Sequence, residues 1–293
     1  MPYKISIVHT GTGPHFARRI ASSINWRFRH GYCRHRISTN VISVNELSSI
    51  ENDMGTLIHA RAAHPRTRWM DRLENLELNN LVVNSTSTLR LTSDKLASSL
   101  LFSRELPNFH PRTWEYPSGF SLDFFEDGEY ILKPYTSMDQ GANVRVYRHP
   151  TDDIVDIART IPGSTLILQE RVNYTALHRV IVIGGVALPY TFYDVPTRDR
   201  WRVSVCLNKT TMRFNGNPDR ELLSLGVRAQ QVVRGDVNFV DIFETSNGYV
   251  LGEINTACNL RIHEVMARRS GRSDWNIHYR IAKYLEGRLL NEY

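Results

Sequence analysis

Short apolar runs of strand length alternate along this chain with stretches whose apolar positions recur at helical period. Lys4 to His9 reads as a β-run, Gly11-Thr-Gly13-Pro14 as a loop, and the stretch from about Phe16 to Arg29 as a helix. That strand–loop–helix opening is of α/β type. Val41 to Val44 and Thr56 to His59 are expected strands, Trp69 to Asn79 a helix, and Leu81-Val-Val-Asn84 a strand entering a polar turn. Ser93 or Asp94 caps a helix running through Leu106, which Pro107 ends. Extended structure resumes at His110 to Trp114. A strand Tyr130-Ile-Leu-Lys133-Pro134 follows, then a polar loop from Tyr135 to Asn143 and the strand Val144 to Tyr147. A helix from about Asp152 to Thr160 and a strand Leu166 to Val172 complete this region. The remainder holds Val180 to Ile183, a Gly184-Gly185 turn, Ala187 to Phe192, a helix around Arg220 to Arg234, a hairpin and a C-terminal amphipathic helix. The chain has no internal repeat and no low-complexity tract.

The hairpin carries the chemistry. Val240, Ile242 and Phe243 form a β-branched and aromatic run, Asn247-Gly248 is a hairpin turn signal, and Tyr249-Val250-Leu251 starts the return strand. Asp241 stands on the first strand; Glu253 and Asn255, two residues apart, point to one face of the second. Three hard oxygen ligands on neighbouring strands suit Mg²⁺, which also takes phosphate oxygens and water. A hairpin with a polar outer face is the plainer alternative. Against it, Glu253 and Asn255 interrupt an apolar strand rather than decorating a turn.

At 293 residues the chain suits two or three subdomains. Hydrophobic residues make up 41% and charged residues 23%, as in an ordinary soluble protein. No apolar run is long enough to span a bilayer, and the basic-then-apolar pattern of a signal peptide is missing. Cys33, Cys206 and Cys258 lack metal-type spacing and read as reduced thiols, so a cytoplasmic location is expected. The net charge of +6 favours an anionic partner. Much of it lies early, in Arg18, Arg19, Arg27, Arg29, His30, Arg34, His35 and Arg36. That cluster reads equally as a solvated helix face, and aromatic residues do not interleave with it in an RNA-binding pattern.

Lys133 closes a strand and precedes a polar loop containing Thr136, Ser137 and Gly141, where a point charge and loop N–H groups can hold a phosphate. Gly11 and Gly13 alone make no dinucleotide fingerprint. In order along the chain stand Asn84-Ser85, Asp94-Lys95, Ile131-Leu-Lys133-Pro134, Leu168-Gln-Glu170-Arg-Val172, Arg179 before a Gly-Gly turn, Asp241, and Glu253-Ile-Asn255. This succession resembles the ATP-grasp superfamily, in particular the carboxylate–amine ligases that include ribosomal-protein glutamate ligases, lysine-biosynthesis carrier-protein ligases and bacterial glutathione synthetases. The resemblance covers nearly the whole chain and is strongest from Asn84 to Asn255.

The resemblance implies an α/β (α+β) ATP-grasp fold with an N-terminal α/β subdomain over 1–90, a connecting helix over 91–111, a small lid subdomain over 112–172 and a larger C-terminal subdomain with the metal site over 173–293. It implies ATP as cofactor, with Mg²⁺ or Mn²⁺. Lys95 and Lys133 would hold phosphates, aided by Thr136, Ser137 and Gly141. Gln169, Glu170, Arg171 and Val172 would form the hinge that reads adenine, and Asp241, Glu253 and Asn255 would bind the metal. Arg179 and Arg202 would anchor the acyl-phosphate or tetrahedral intermediate, with Asn208 near the γ-phosphate. Three departures stand out. The phosphate loop holds a single glycine, Gly141; Leu177-His178 replaces the usual acidic ribose ligand; and Thr256-Ala-Cys258-Asn259 follows Asn255 where relatives continue to Pro-Gly.

The implied activity is ATP-dependent amide-bond formation through an acyl-phosphate, releasing ADP and phosphate. The alternative is an inactive ATP-grasp-like module for nucleotide-regulated binding of anions or nucleic acid. Candidate contacts to the acceptor are His59, Arg61, Arg66, Arg68 and the basic first helix. Their charge favours an acidic peptide, a carrier protein or a small di-acid, with nucleic acid a further option. No membrane partner is expected, and a homo-oligomer is compatible.

Overall fold

The computed structural model describes residues 3–9, 14–50, 56–61, 68–117, 125–135, 143–162, 165–197, 211–258 and 260–290. The first sheet is parallel, in the order β2-β1-β3-β4, from β1 (Tyr3–His9), β2 (Ile37–Ser43), β3 (Thr56–Arg61) and β4 (Leu81–Val83). Helices α1 (Pro14–Arg29) and α2 (Arg68–Glu77) make the crossovers. Ile5 and Ile7 pack with Phe16, Ile20 and Ile24 of α1, whereas Val8 joins Met70, Leu73 and Leu76 of α2. A sheet covered on both faces buries both sides of its strands, and Ile5, Ser6, Ile7 and Val8 of β1 are all fully buried.

Two helices follow where the sequence suggests a turn and a single helix. α3 (Thr86–Ser93) precedes α4 (Lys95–Glu105), with Asp94 as the N-cap of α4. The hydroxyl-rich segment Thr86 to Ser93 has weak helix propensity because its side chains compete for backbone groups. Here those hydroxyls are used within the helix: Ser85 caps it, and Thr92 and Ser93 donate to Thr88 O and Leu89 O.

The second sheet is antiparallel, in the order β5-β8-β6-β7, built from β5 (Thr113–Tyr116), β6 (Gly128–Pro134), β7 (Arg145–His149) and β8 (Leu166–Glu170), with α5 (Ile154–Arg159) beside it. Tyr130, Leu132, Tyr147, Ile154 and Leu168 form its core.

The third sheet runs β12-β11-β9-β13-β14, from β9 (Ala176–Ile183), β10 (Val186–Ala187, paired with β9), β11 (Thr191–Asp194), β12 (Arg213–Asn215), β13 (Val237–Thr245) and β14 (Gly248–Asn255). Its helices are α6 (Arg220–Val232), α7 (Leu260–Arg269) and α8 (Ile277–Leu289), so the single C-terminal helix expected from sequence is two. Every residue of central β9 is buried. Val180, Val182, Val240 and Ile242 face α6 and α4, while Ile181 and Phe239 share a core with α8 and α1. No described helix is long and apolar enough to cross a membrane.

Asn84 locks the first sheet to the third. It sits at φ 43°, fully buried, and its side chain bonds Asp236 N at 2.8 Å, Val237 N at 3.1 Å and Val237 O at 2.8 Å. Each buried backbone group left without a partner costs about 1–3 kcal/mol. Asn84→Ala is therefore expected to destabilise the chain by about 3 kcal/mol or more, read as a lower urea midpoint at constant slope. A loss below about 1 kcal/mol would remove the latch from the account.

Candidate functional site

A β-bulge aims the metal-type ligands. From Ile242 to Thr245, β13 pairs with β14 in one register, Ile242 opposite Leu251; below a shift between Asp241 and Ile242, Asp241 lies opposite Glu253. Gly252 is the extra residue. Were the outer register to run on unshifted, Glu253 would oppose Val240 and share the side of the apolar residues packed on α6. A Cβ on Gly252 would stand 2.9 Å from the Phe243 ring, so glycine also makes room for that ring. The bulge escapes a plain alternation reading, although an isolated glycine inside a strand signals one.

Lys95, at the start of α4, reaches Glu253 at 2.7 Å, and Asn255 Nδ2 donates to the other carboxylate oxygen at 3.0 Å. The Lys95 N–H donates to Tyr135 O at 3.1 Å, joining the start of α4 to the end of β6. Lys133 on β6 donates to Gln169 Oε1 at 2.8 Å, and Gln169 Nε2 donates to Thr113 Oγ1 at 2.8 Å. Burial pushes the Lys133 ammonium down to about 8, with Lys95 adding to the effect and Glu253 opposing it. The charge of Lys95 holds Glu253 well below the usual carboxylate range. The two lysines and Glu253 are thus one electrostatic unit drawn from three separate elements.

Arg179 on β9 lies beside Asp241 in register and forms a buried bidentate pair with it, at 2.7 and 2.5 Å. Its remaining nitrogen, Nη1, lies 3.2 Å from Cys258 Sγ. Both side chains are almost fully buried, at 5% and 8% exposure, so Arg179 is no surface arginine. Cys258, read from sequence as a reduced thiol, is buried and touches this pair.

Beyond Gln169, two of the hinge candidates make ion pairs. Glu170 accepts from the Arg112 backbone at 2.9 Å and from its guanidinium at 2.7 Å, and Arg171 pairs with Glu129. Glu170, Arg171 and Val172 line a cavity of about 430 Å³ that also presents Glu126, Asp127 and Glu129, carboxylates that oppose a polyphosphate. Between Lys95, Lys133 and Glu253 the free space is only about 10 Å³, roughly the room of one water. Thr136, Ser137, Gly141, Arg202 and Asn208 lie outside the described residues, as do the side chains of His59, Arg61, Arg66 and Arg68.

Glu253, Asp241 and Asn255 suit a hard cation bound partly by its ligand. Among the described residues no cluster of three or more His, Cys, Asp or Glu could hold a metal alone. Two carboxylates and the Asn255 amide oxygen leave positions for phosphate oxygens and water, as Mg²⁺ prefers. Asp241 can keep Arg179 and still offer a lone pair, because an ionised carboxylate accepts at about four sites.

No protein-family model matches the sequence, and no curated protein matches it. Solved structures do match along the whole chain. A D-alanine–D-alanine ligase from Bacillus anthracis, complexed with ATP, superposes with a TM-score of 0.65 at 12% identity, covering 100% of both chains. The ATP-grasp ligase PsnB complexed with the precursor peptide PsnA2 and AMPPNP gives 0.65 at 16% identity, covering 97% of each chain. The same ligase with minimal precursor, Mg and ADP gives 0.65 at 16%, covering 98% of each. The chain has the ATP-grasp fold.

Proposed function

We propose that the chain is an ATP-dependent carboxylate–amine ligase, releasing ADP. The observation that carries this reading is the convergence of Lys95, Lys133, Glu253 and Asn255 where α4, β6 and β14 meet, with Asp241 opposite Glu253 on β13. In the proposed reaction a substrate carboxylate attacks the γ-phosphate of ATP, giving an acyl-phosphate and ADP, and an amine then displaces phosphate. Lys95 and Lys133 offset charge building on the transferring phosphoryl group. Glu253, Asp241 and Asn255 would hold Mg²⁺, which when bound neutralises phosphate oxygens. Arg179 is proposed as a positioning residue that orients Asp241. Thr136, Ser137 and Gly141 are proposed to wrap the phosphates, Arg202 to anchor the acyl-phosphate or tetrahedral intermediate, and Asn208 to face the γ-phosphate. Residues 112–172 are proposed as a lid hinged near Pro111 and Val172, opening the narrow space beside Lys133 to nucleotide.

The net charge of +6 and the likeness to a ligase solved with a precursor peptide support an acidic peptide as acceptor. A second reading, a nucleotide-regulated binding module without turnover, is favoured by the Lys95–Glu253 contact that fills the site. Thermal melting tests the binding both readings require: Mg-ATP should raise the melting temperature, and ATP in chelator much less. Equal shifts would contradict the metal triad. ADP release on adding amino acids and acidic peptides separates the two readings.

Lys133 sets a pH dependence. Below about 8 it is protonated without nucleotide; above that value it is neutral, and a bound phosphate favours its charged form. ATP binding should therefore take up a proton at pH above about 8 and weaken by up to about tenfold per pH unit there. Titration calorimetry in two buffers of different ionisation enthalpy reads the uptake directly. Proton-neutral binding at alkaline pH would exclude Lys133 from the phosphate site.

A further inference from the structure

We propose that the exposed aromatic stack at the C-terminal end of α1 binds single-stranded nucleic acid, as a docking surface separate from the phosphate site. The apolar stripe of α1, Phe16, Ala17, Ile20 and Ile24, is buried, which leaves Trp26 on the outer side at 44% exposure. Gly31, at φ 74°, ends the helix and reverses the chain, with Tyr32 N–H donating to Arg27 O at 2.9 Å. This turn brings Tyr32 over Trp26 with ring centroids 5.4 Å apart and planes 15° from parallel. His30 lies against Trp26 at 4.3 Å and 23°. Tyr32 is 60% exposed, so the stack ends in an open ring face.

The platform is anchored from below. Buried Arg27 pairs with Glu286 at 2.5 Å, bonds Tyr279 Oη at 2.6 Å and donates to Tyr32 O at 3.2 Å. The surrounding charge is of one sign. Before Glu46, the first acidic residue of the chain, stand seven lysines and arginines, more than the entire net charge of +6. Arg29, Arg34 and Arg36 are exposed, and none is paired with a carboxylate among the described residues. Charges that look like a solvated helix face in sequence therefore flank three stacked, near-parallel rings in the fold.

Stacked open rings within a basic surface are what unpaired bases and their phosphates need together. An acidic peptide would satisfy the arginines and leave the ring faces unused. Duplex DNA keeps its bases stacked on each other and offers only phosphates. A second copy docking here by two-fold symmetry would set arginine against arginine. Tyr3, where β1 begins, packs on His35, whereas Asn84, just past the end of parallel β4, docks on the third sheet. The stack thus lies toward the end of the first sheet where its parallel strands begin, and the junction toward the end where they finish.

Fluorescence anisotropy of the full chain tests this, using labelled oligothymidylate and single-stranded RNA of about 12 nucleotides. The comparators are a duplex of equal length, a polyglutamate peptide, and phosphatidylserine vesicles. Single strands should bind most tightly. Trp26→Ala with Tyr32→Ala should weaken them about tenfold or more at unchanged salt slope. Arg29→Ser, Arg34→Ser and Arg36→Ser together should reduce the slope of log affinity against log salt by about 2. All five positions are exposed, and unchanged melting would confirm folding. No binding of single strands at low salt overturns the proposal. So does duplex, peptide or vesicle binding as tight as that of single strands and indifferent to the aromatic substitutions, which would assign the surface to plain charge attraction.

Discussion

Glu253→Gln is expected to reduce Mg-ATP turnover by a factor of about 10³ or more while leaving the fold intact. The carboxylate is half-exposed and bonded to Lys95, and pairs of that kind contribute about 1 kcal/mol or less to stability. Its functional role is larger, because its charge offsets Lys95 and Lys133 in the free protein and is proposed to carry the metal in the complex. Steady-state ADP release beside a melting curve checks both halves. A variant retaining activity within about tenfold would remove Glu253 from the chemistry.

Breaking the Arg179–Asp241 pair is expected to cost far more stability. Removing one partner of a buried, hydrogen-bonded ion pair typically costs about 3–5 kcal/mol, since the other charge is left buried alone. Arg179→Met should show this loss, and Asp241→Leu a similar one. The double variant should lose less than the sum, because neither charge then remains. Additive losses by chemical denaturation would show that the two side chains act independently, despite their contacts at 2.5 and 2.7 Å. The double variant should also lose Mg²⁺ dependence of ATP binding, a readout that a purely structural role would not move.

The legible part of this fold followed strong local signals. The Asn247-Gly248 turn and the apolar runs beside it announce β13 and β14, and Asp94 before an apolar stretch announces α4. The α3 helix was hidden because Thr86 to Ser93 is rich in hydroxyl residues that disfavour a helix, and the Ser85 cap and the Thr88 bond to Val233 O form only in the fold. Lys95, Glu253 and Asn255 were legible as chemistry, but their mutual contact depends on a bulge at Gly252 that alternation cannot encode. The tie between Arg179 and Asp241 spans 62 positions and arises from strand pairing, a non-local fact. The stacking of Trp26 with Tyr32 likewise needed the left-handed Gly31, whose conformation turns an ordinary helix end into a platform.

Phosphorylation of a carboxylate is the step that defines the proposed ligase. The most direct measurement incubates the full chain with Mg-ATP, hydroxylamine as a general amine, and a pool of amino acids, di-acids and acidic peptides, then quantifies nucleotides and hydroxamates together. Hydroxamate should form with at least as much ADP, and both should be lost in Glu253→Gln. Formation of AMP and pyrophosphate, or ATP that neither binds with Mg²⁺ nor is consumed, would contradict the ligase reading.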